Sequence, residues 1–150
     1  MRLSLQPHPN FPCTAVESFD VEIARTDVLS LCYAVTGRID EILIPAPSAP
    51  ARTDELWKHT CFEAFARTAS GEAYTELNFS PSTRWAAYQF TGYRRDMRNA
   101  EIAAPRIETS ATADRFELRA SVLLPVLGNS RLAISAIIEE RNGAKSYWAL

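Results

Sequence analysis

The sequence predicts an all-β fold, an antiparallel sandwich or barrel with little helix. Apolar and polar residues alternate with a period of two in segment after segment. Turn-forming residues separate these segments at short, regular intervals, and almost no stretch carries the period of an amphipathic helix. The cleanest alternation sets Phe116, Leu118, Ala120 and Val122 against Glu117, Arg119 and Ser121.

The elements follow in order. Arg2 to Gln6 reads as a short edge strand, and Pro7, Pro9 and Pro12 then force an extended lead-in. Phe19, Val21 and Ile23 alternate with Asp20, Glu22 and Ala24 as a half-buried strand, and Thr26-Asp27 supplies a turn. Leu29, Leu31, Tyr33 and Val35 form the next strand, closed by Gly37. A short apolar run from Ile39 to Ile44 ends at the proline-rich stretch 45–50, a stiff surface loop. A turn or single helical turn up to His59 precedes a strand from Thr60 to Ala66. Ser70-Gly71 joins that strand to Ala73–Ser80, and Pro81-Ser82-Thr83 turns the chain into Arg84 to Phe90. Residues Arg94 to Asn99 read as a charged loop. Ile107 to Thr112 pairs with Arg115 to Leu124, and Leu132 to Ile138 forms the next strand. Asn142-Gly143, both tolerant of positive φ, folds Ser146–Leu150 back on it.

A chain of 150 residues is expected to form one domain, spanning 1–150, and to bury roughly 70% of its unfolded surface. Its 47% hydrophobic content and formal charge of −2 describe an ordinary soluble protein. No basic excess is present to neutralise phosphates, so nucleic acid is not an expected partner. No apolar run is long enough to cross a bilayer, so no membrane partner is expected either. The first residues lack an apolar export segment, and Cys13, Cys32 and Cys61 are odd in number and widely spaced. Free thiols in a reducing cytoplasm are the expectation.

The composition offers little to catalysis. The glycines at 37, 71, 92, 128 and 143 are isolated, so no phosphate-cradling loop forms. A Ser-His-Asp hydrolase would have only His8 and His59 to draw on, without a nucleophile elbow. Cys61 near His59 reads as a buried thiol beside a surface imidazole. Glu63 and Glu76 could face each other across a hairpin, as the acid pair of a glycoside hydrolase does, but two acids on adjacent strands more often form a solvated face. His59 and Met97 are the one pair available as axial haem ligands, and their spacing does not recommend them. The expectation is a protein that is not an enzyme and needs no cofactor.

The unusual residues concentrate between Leu56 and Arg94. Trp57 and Trp85 stand there among tyrosines and phenylalanines, with Glu63, Glu76, Asn78 and Arg84 between them. Tyr74, Glu76 and Asn78 fall on one side of a strand, and Thr75, Leu77 and Phe79 on the other. A sheet whose outer face forms an amphipathic groove accommodates this pattern. Such a combination suits a sugar, whose C–H faces stack on indole planes while carboxylate, amide and guanidinium groups hold the hydroxyls. Trp57 and Trp148 are the candidate planes. Glu63, Asn78 and Arg84 are the candidate hydroxyl partners. Trp85, followed by two alanines, reads as core.

Leu-Trp-Lys-His-Thr-Cys-Phe-Glu-Ala-Phe (56–65), Glu-Leu-Asn-Phe-Ser-Pro-Ser (76–82) with Trp-Ala-Ala-Tyr (85–88), Gly-Tyr-Arg (92–94) and the final Ser-Tyr-Trp-Ala-Leu (146–150) resemble the DOMON-like proteins related to family 9 carbohydrate-binding modules. The resemblance covers essentially the whole chain. It implies a jelly-roll-like β-sandwich that binds a sugar without catalysis, held in the true modules between two tryptophans. Trp57 with Glu63 matches the family's tryptophan and following acid, and Trp148 is the natural second plane. The wider group includes haem-binding domains, so a haem-binding domain is the first alternative. A structural protein pairing through an exposed sheet edge near residues 146–150, for instance as a homo-oligomer, is the second. A further proline-rich, histidine-containing segment is expected from the family after Leu150. The true modules carry a structural calcium, for which this chain offers no acidic loop cluster.

Overall fold

Every alternating segment becomes a strand, and the strands form two antiparallel sheets packed face to face. In the computed structural model the described residues are 1–125 and 129–150. Gly128, one of the isolated glycines, lies outside them. In chain order the strands are β1 (Arg2–Ser4), β2 (Gln6–Pro7), β3 (Val16–Arg25), β4 (Val28–Gly37), β5 (Cys61–Thr68), β6 (Tyr74–Phe79), β7 (Trp85–Phe90), β8 (Arg98–Asn99), β9 (Arg106–Ala111), β10 (Arg115–Leu123), β11 (Ser130–Glu139) and β12 (Lys145–Ala149). One sheet has the order β1-β3-β4-β10-β9, the other β2-β12-β11-β5-β6-β7-β8. Helical structure is limited to two short 3₁₀ turns, Ile39–Glu41 and Leu56–Lys58, among the described residues. This is the all-β sandwich that the periodicity predicts.

Period-two alternation decides what the sandwich encloses. Phe19, Leu31, Tyr33, Val35, Phe116 and Leu118 from the five-stranded sheet meet Phe62, Leu77, Phe79, Trp85, Ile134 and Trp148 from the seven-stranded sheet in one buried core. Aromatic rings bridge the layers. Phe62 packs 5.1 Å from Tyr33 and 5.8 Å from Phe19, and Phe19 lies 5.6 Å from Trp148. Tyr33 also sends its hydroxyl across the core to the main-chain carbonyl of Glu63, 2.8 Å away. That bond satisfies a buried phenol that would otherwise cost stability. It also ties β5 to the opposite sheet at the residue whose side chain points the other way.

Two turns depart from expectation. At Asn142-Gly143 only Gly143 takes positive φ, 88°. The Asn142 side-chain oxygen instead accepts from the Ala144 amide at 2.9 Å, so the loop is longer than a two-residue hairpin. Near the chain start, the Arg2–Gln6 segment divides: β1 pairs with β3, while β2 crosses to pair with β12, Pro7 opposite Trp148. The edge expected to lie open near 146–150 is therefore covered by β2, whose proline blunts the outer side. Gly37 has φ of 142°, and a β-carbon there would lie 2.0 Å from the Ala15 carbonyl oxygen. Here glycine is required by close backbone approach as well as conformation.

Candidate functional site

The outward face of the seven-stranded sheet collects the side chains that the core rejects. Cross-strand register sets them in files: Ser135, Glu63, Asn78 and Ala86 form one, and Ala133, Phe65, Glu76 and Tyr88 the next. Tyr74 and Phe90 follow, stacked 4.7 Å apart with planes only 9° from parallel. A cleft of about 1080 Å³ opens over this face, ample for a small ligand. Phe65, Tyr74, Glu76, Tyr88 and Phe90 line it from the sheet. Loops raise its walls: Asp54, Glu55 and Trp57 before β5, and Tyr93, Arg94 and Met97 between β7 and β8. A smaller hollow of about 340 Å³ lies at the end of the sandwich near Thr75, Gln89 and Leu124, with Tyr74 its one aromatic lining residue.

Backbone strain marks the cleft rim. Four non-glycine residues among those described have positive φ, and two of them, Glu55 at 63° and Arg94 at 53°, line the cleft. Such conformations cost of order 1–3 kcal/mol each and persist where surroundings over-determine them. Glu55 opens the 3₁₀ turn that lifts Trp57, leaving its indole 49% exposed. Lys58 Nζ lies 5.8 Å from the centre of that ring and 2.9 Å from Glu55. Across the cleft Tyr93 is 77% exposed. Tyr88 donates to Asp54 at 2.6 Å, and burial with that carboxylate raises the phenol far above its ordinary range.

Two acids on the outer side of the sheet make their side-chain hydrogen bonds to neutral groups, Glu76 in the cleft and Glu63 beside it. Glu63 accepts from the Ser135 hydroxyl at 2.5 Å, and Glu76 from the Asn78 amide at 3.1 Å. Burial pushes both carboxyls above the usual carboxylate value; the Glu76 charge adds to the rise at Glu63, while Arg94 opposes it at Glu76. They are diagonal neighbours: Glu63 opposes Asn78, and Glu76 opposes Phe65. Asn78 is wholly enclosed, and its side-chain oxygen has no hydrogen-bond partner.

The structure brings together some of the residues singled out from sequence and separates others. Trp57 stands at the cleft mouth. Glu63 and Asn78 lie on the outer side of the sheet but do not line that cleft, and Glu63 borders a separate hollow whose lining includes Tyr147 and Trp148. Trp148 does not join Trp57. It is 6% exposed, packs on Phe19 between the sheets and donates its indole N–H to Ser146 at 2.9 Å. No paired-indole clamp forms with Trp57, because register with Ala136 and Ile138 turns Trp148 and Ser146 inward. Arg84 is also elsewhere. Its guanidinium reaches Ser48 at 3.1 Å and Thr53 at 3.4 Å, bracing the proline-rich loop. Trp85 is core, as its alanine neighbours suggest, with the Arg52 guanidinium 4.3 Å above its ring.

Sequence reasoning passed over Asp54, Tyr88, Tyr93 and Arg94 as site residues. Glu76 and Tyr74 were legible from parity alone, since they share a face with Asn78. Among the described residues the other candidate chemistries find no assembled site. His59 Nδ1 lies 2.7 Å from a Glu139 carboxylate oxygen and borders a different hollow from Met97. Cys61 is fully buried. No cluster of three His, Cys, Asp or Glu side chains among the described residues fits a calcium or other metal ion.

No protein-family model and no curated protein matches the chain. Among solved structures, a "putative carbohydrate-binding protein" from Bacteroides uniformis ATCC 8492 superposes with a TM-score of 0.68 over 97% of this chain and 76% of its own. At 12% sequence identity the two share a fold.

Proposed function

We propose that the protein is a non-catalytic binding module whose ligand, a carbohydrate, sits in the cleft over the outer face of the seven-stranded sheet. The observation that carries this reading is the raised, half-exposed Trp57 indole over a floor of Glu76 and Tyr88. An apolar plane beside fixed acceptors matches the two-sided chemistry of a pyranose ring. The fold shared with the Bacteroides protein supports the reading, as that protein's description names carbohydrate. The resemblance to DOMON-like proteins and family 9 modules supports it through Trp57, the residue that lines the cleft mouth. The second plane of the proposed site is Tyr93 rather than Trp148.

Because Trp85 and Trp148 are both 6% exposed, Trp57 dominates the solvent-quenchable tryptophan fluorescence. Titration with a panel of mono- and disaccharides should shift that emission and protect it from iodide. Trp57→Ala should abolish both effects while leaving the far-ultraviolet circular dichroism unchanged. Emission that stays fixed through the whole panel would end the carbohydrate reading.

A further inference from the structure

We infer that the ligand of the Trp57 cleft carries a protonated amino group, seated against Glu76 and its neighbouring acceptors. On the carbohydrate reading above, on which this rests, the ligand is an amino sugar. The argument is one of unmet charge. Of the three acids that line the cleft, Glu55 lies 2.9 Å from Lys58 and Asp54 accepts from the Tyr88 hydroxyl at 2.6 Å. Glu76 has no ion-pair partner among the described residues, and the Asn78 amide supplies its side-chain hydrogen bond.

The nearby cations are otherwise engaged. Arg94 lies close enough to favour the Glu76 anion, but its guanidinium sits 5.2 Å from the Tyr93 ring, and Arg98 donates to Gln89 at 3.1 Å.

A neutral hydroxyl could satisfy a lone pair but not the charge. An ammonium brings three donors and the missing positive charge together. Trp57, Tyr74, Tyr88, Phe90 and Tyr93 line the same cleft, and aromatic faces attract cations.

Isothermal titration with D-glucosamine, D-glucose, N-acetyl-D-glucosamine and ethanolamine, at a pH where the free amines are protonated, tests the inference. Glucosamine should bind at least about tenfold more tightly than glucose or N-acetylglucosamine, the margin a desolvated charge with ring contacts supplies. Glu76→Gln should collapse that ratio, whereas Trp57→Ala should weaken every sugar. Glucose binding as well as glucosamine would overturn the amino-group inference and leave the carbohydrate reading standing. Ethanolamine binding where no sugar does would uphold the ammonium site and overturn the carbohydrate reading. Silence in all four titrations would overturn both. The comparison of ligands on the unmodified protein decides the matter even if Glu76→Gln fails to fold.

Discussion

Trp57 and Trp148 make opposite predictions, and the contrast tests where the cleft lies. Trp148 buries its ring against Phe19 and donates to Ser146, itself fully enclosed. Truncation to alanine removes the indole, leaves a cavity and strands the Ser146 hydroxyl. Such changes cost about 3–5 kcal/mol, much of the roughly 5–15 kcal/mol that holds a domain folded. Trp148→Phe is the informative variant, because it keeps one ring and still folds. It loses the second ring and the N–H donor, for roughly 1.5–3 kcal/mol. At about 2–4 °C per kcal/mol for a chain of this size, the melting point should fall by roughly 3–12 °C. Trp57→Ala removes a half-exposed ring that contributes little to the core, so its cost should stay below about 1 kcal/mol. Urea denaturation followed by circular dichroism gives both values. If Trp148→Phe matches the parent within about 0.3 kcal/mol while Trp57→Ala costs more, the assignment of one indole to the core and the other to the ligand is wrong.

Tyr33→Phe should cost about 1–3 kcal/mol in the same assay, because the Glu63 carbonyl loses its cross-core donor. Glu63→Gln should stabilise the protein at neutral pH and lose that advantage in acid. The folded state holds the Glu63 proton more tightly than the unfolded chain, whose value is near 4.5, so this group's contribution is fully present below 4.5 and is lost as pH rises through the raised folded value. Melting temperatures of the two proteins should therefore converge as pH falls, and a gap that widens toward acid would refute the sign. Gly37→Ala drives a β-carbon into the Ala15 carbonyl and should destabilise by several kcal/mol, read as loss of soluble folded protein or a large drop in urea midpoint.

Much of this was legible in the chain because a strand offers its residues only two directions. The file Thr75, Leu77, Phe79 goes inward, and Tyr74, Glu76, Asn78 outward, as alternation alone requires. The same rule misplaces Trp148. A two-residue turn at Asn142-Gly143 would pair Trp148 with Ile137, whereas the longer loop sets Ser146 opposite Ile138 and Trp148 opposite Ala136, members of the inward apolar file. Arg84 and Tyr93 could not be placed this way, since both sit in turns where period two has no meaning. Arg84 was drawn to Ser48 and Thr53 by a loop 31 to 36 residues earlier, a contact that no local pattern announces.

The cleft inherits its geometry from the core beneath it. Phe62 and Glu63 are consecutive, so a one-residue slip of β5 would bring the carboxylate inward and expose the phenyl ring. Phe62 cannot accept that exchange, because Tyr33, Phe19 and Phe116 surround it at 5.1 to 6.0 Å. The Tyr33 hydroxyl pins the backbone of Glu63 from the same side. The Glu63 and Glu76 side chains are thus held in register by contacts on the opposite face of their own strands. Trp57 and Tyr93 belong to loops outside this constraint, so the walls are positioned by loop geometry and the floor by strand register.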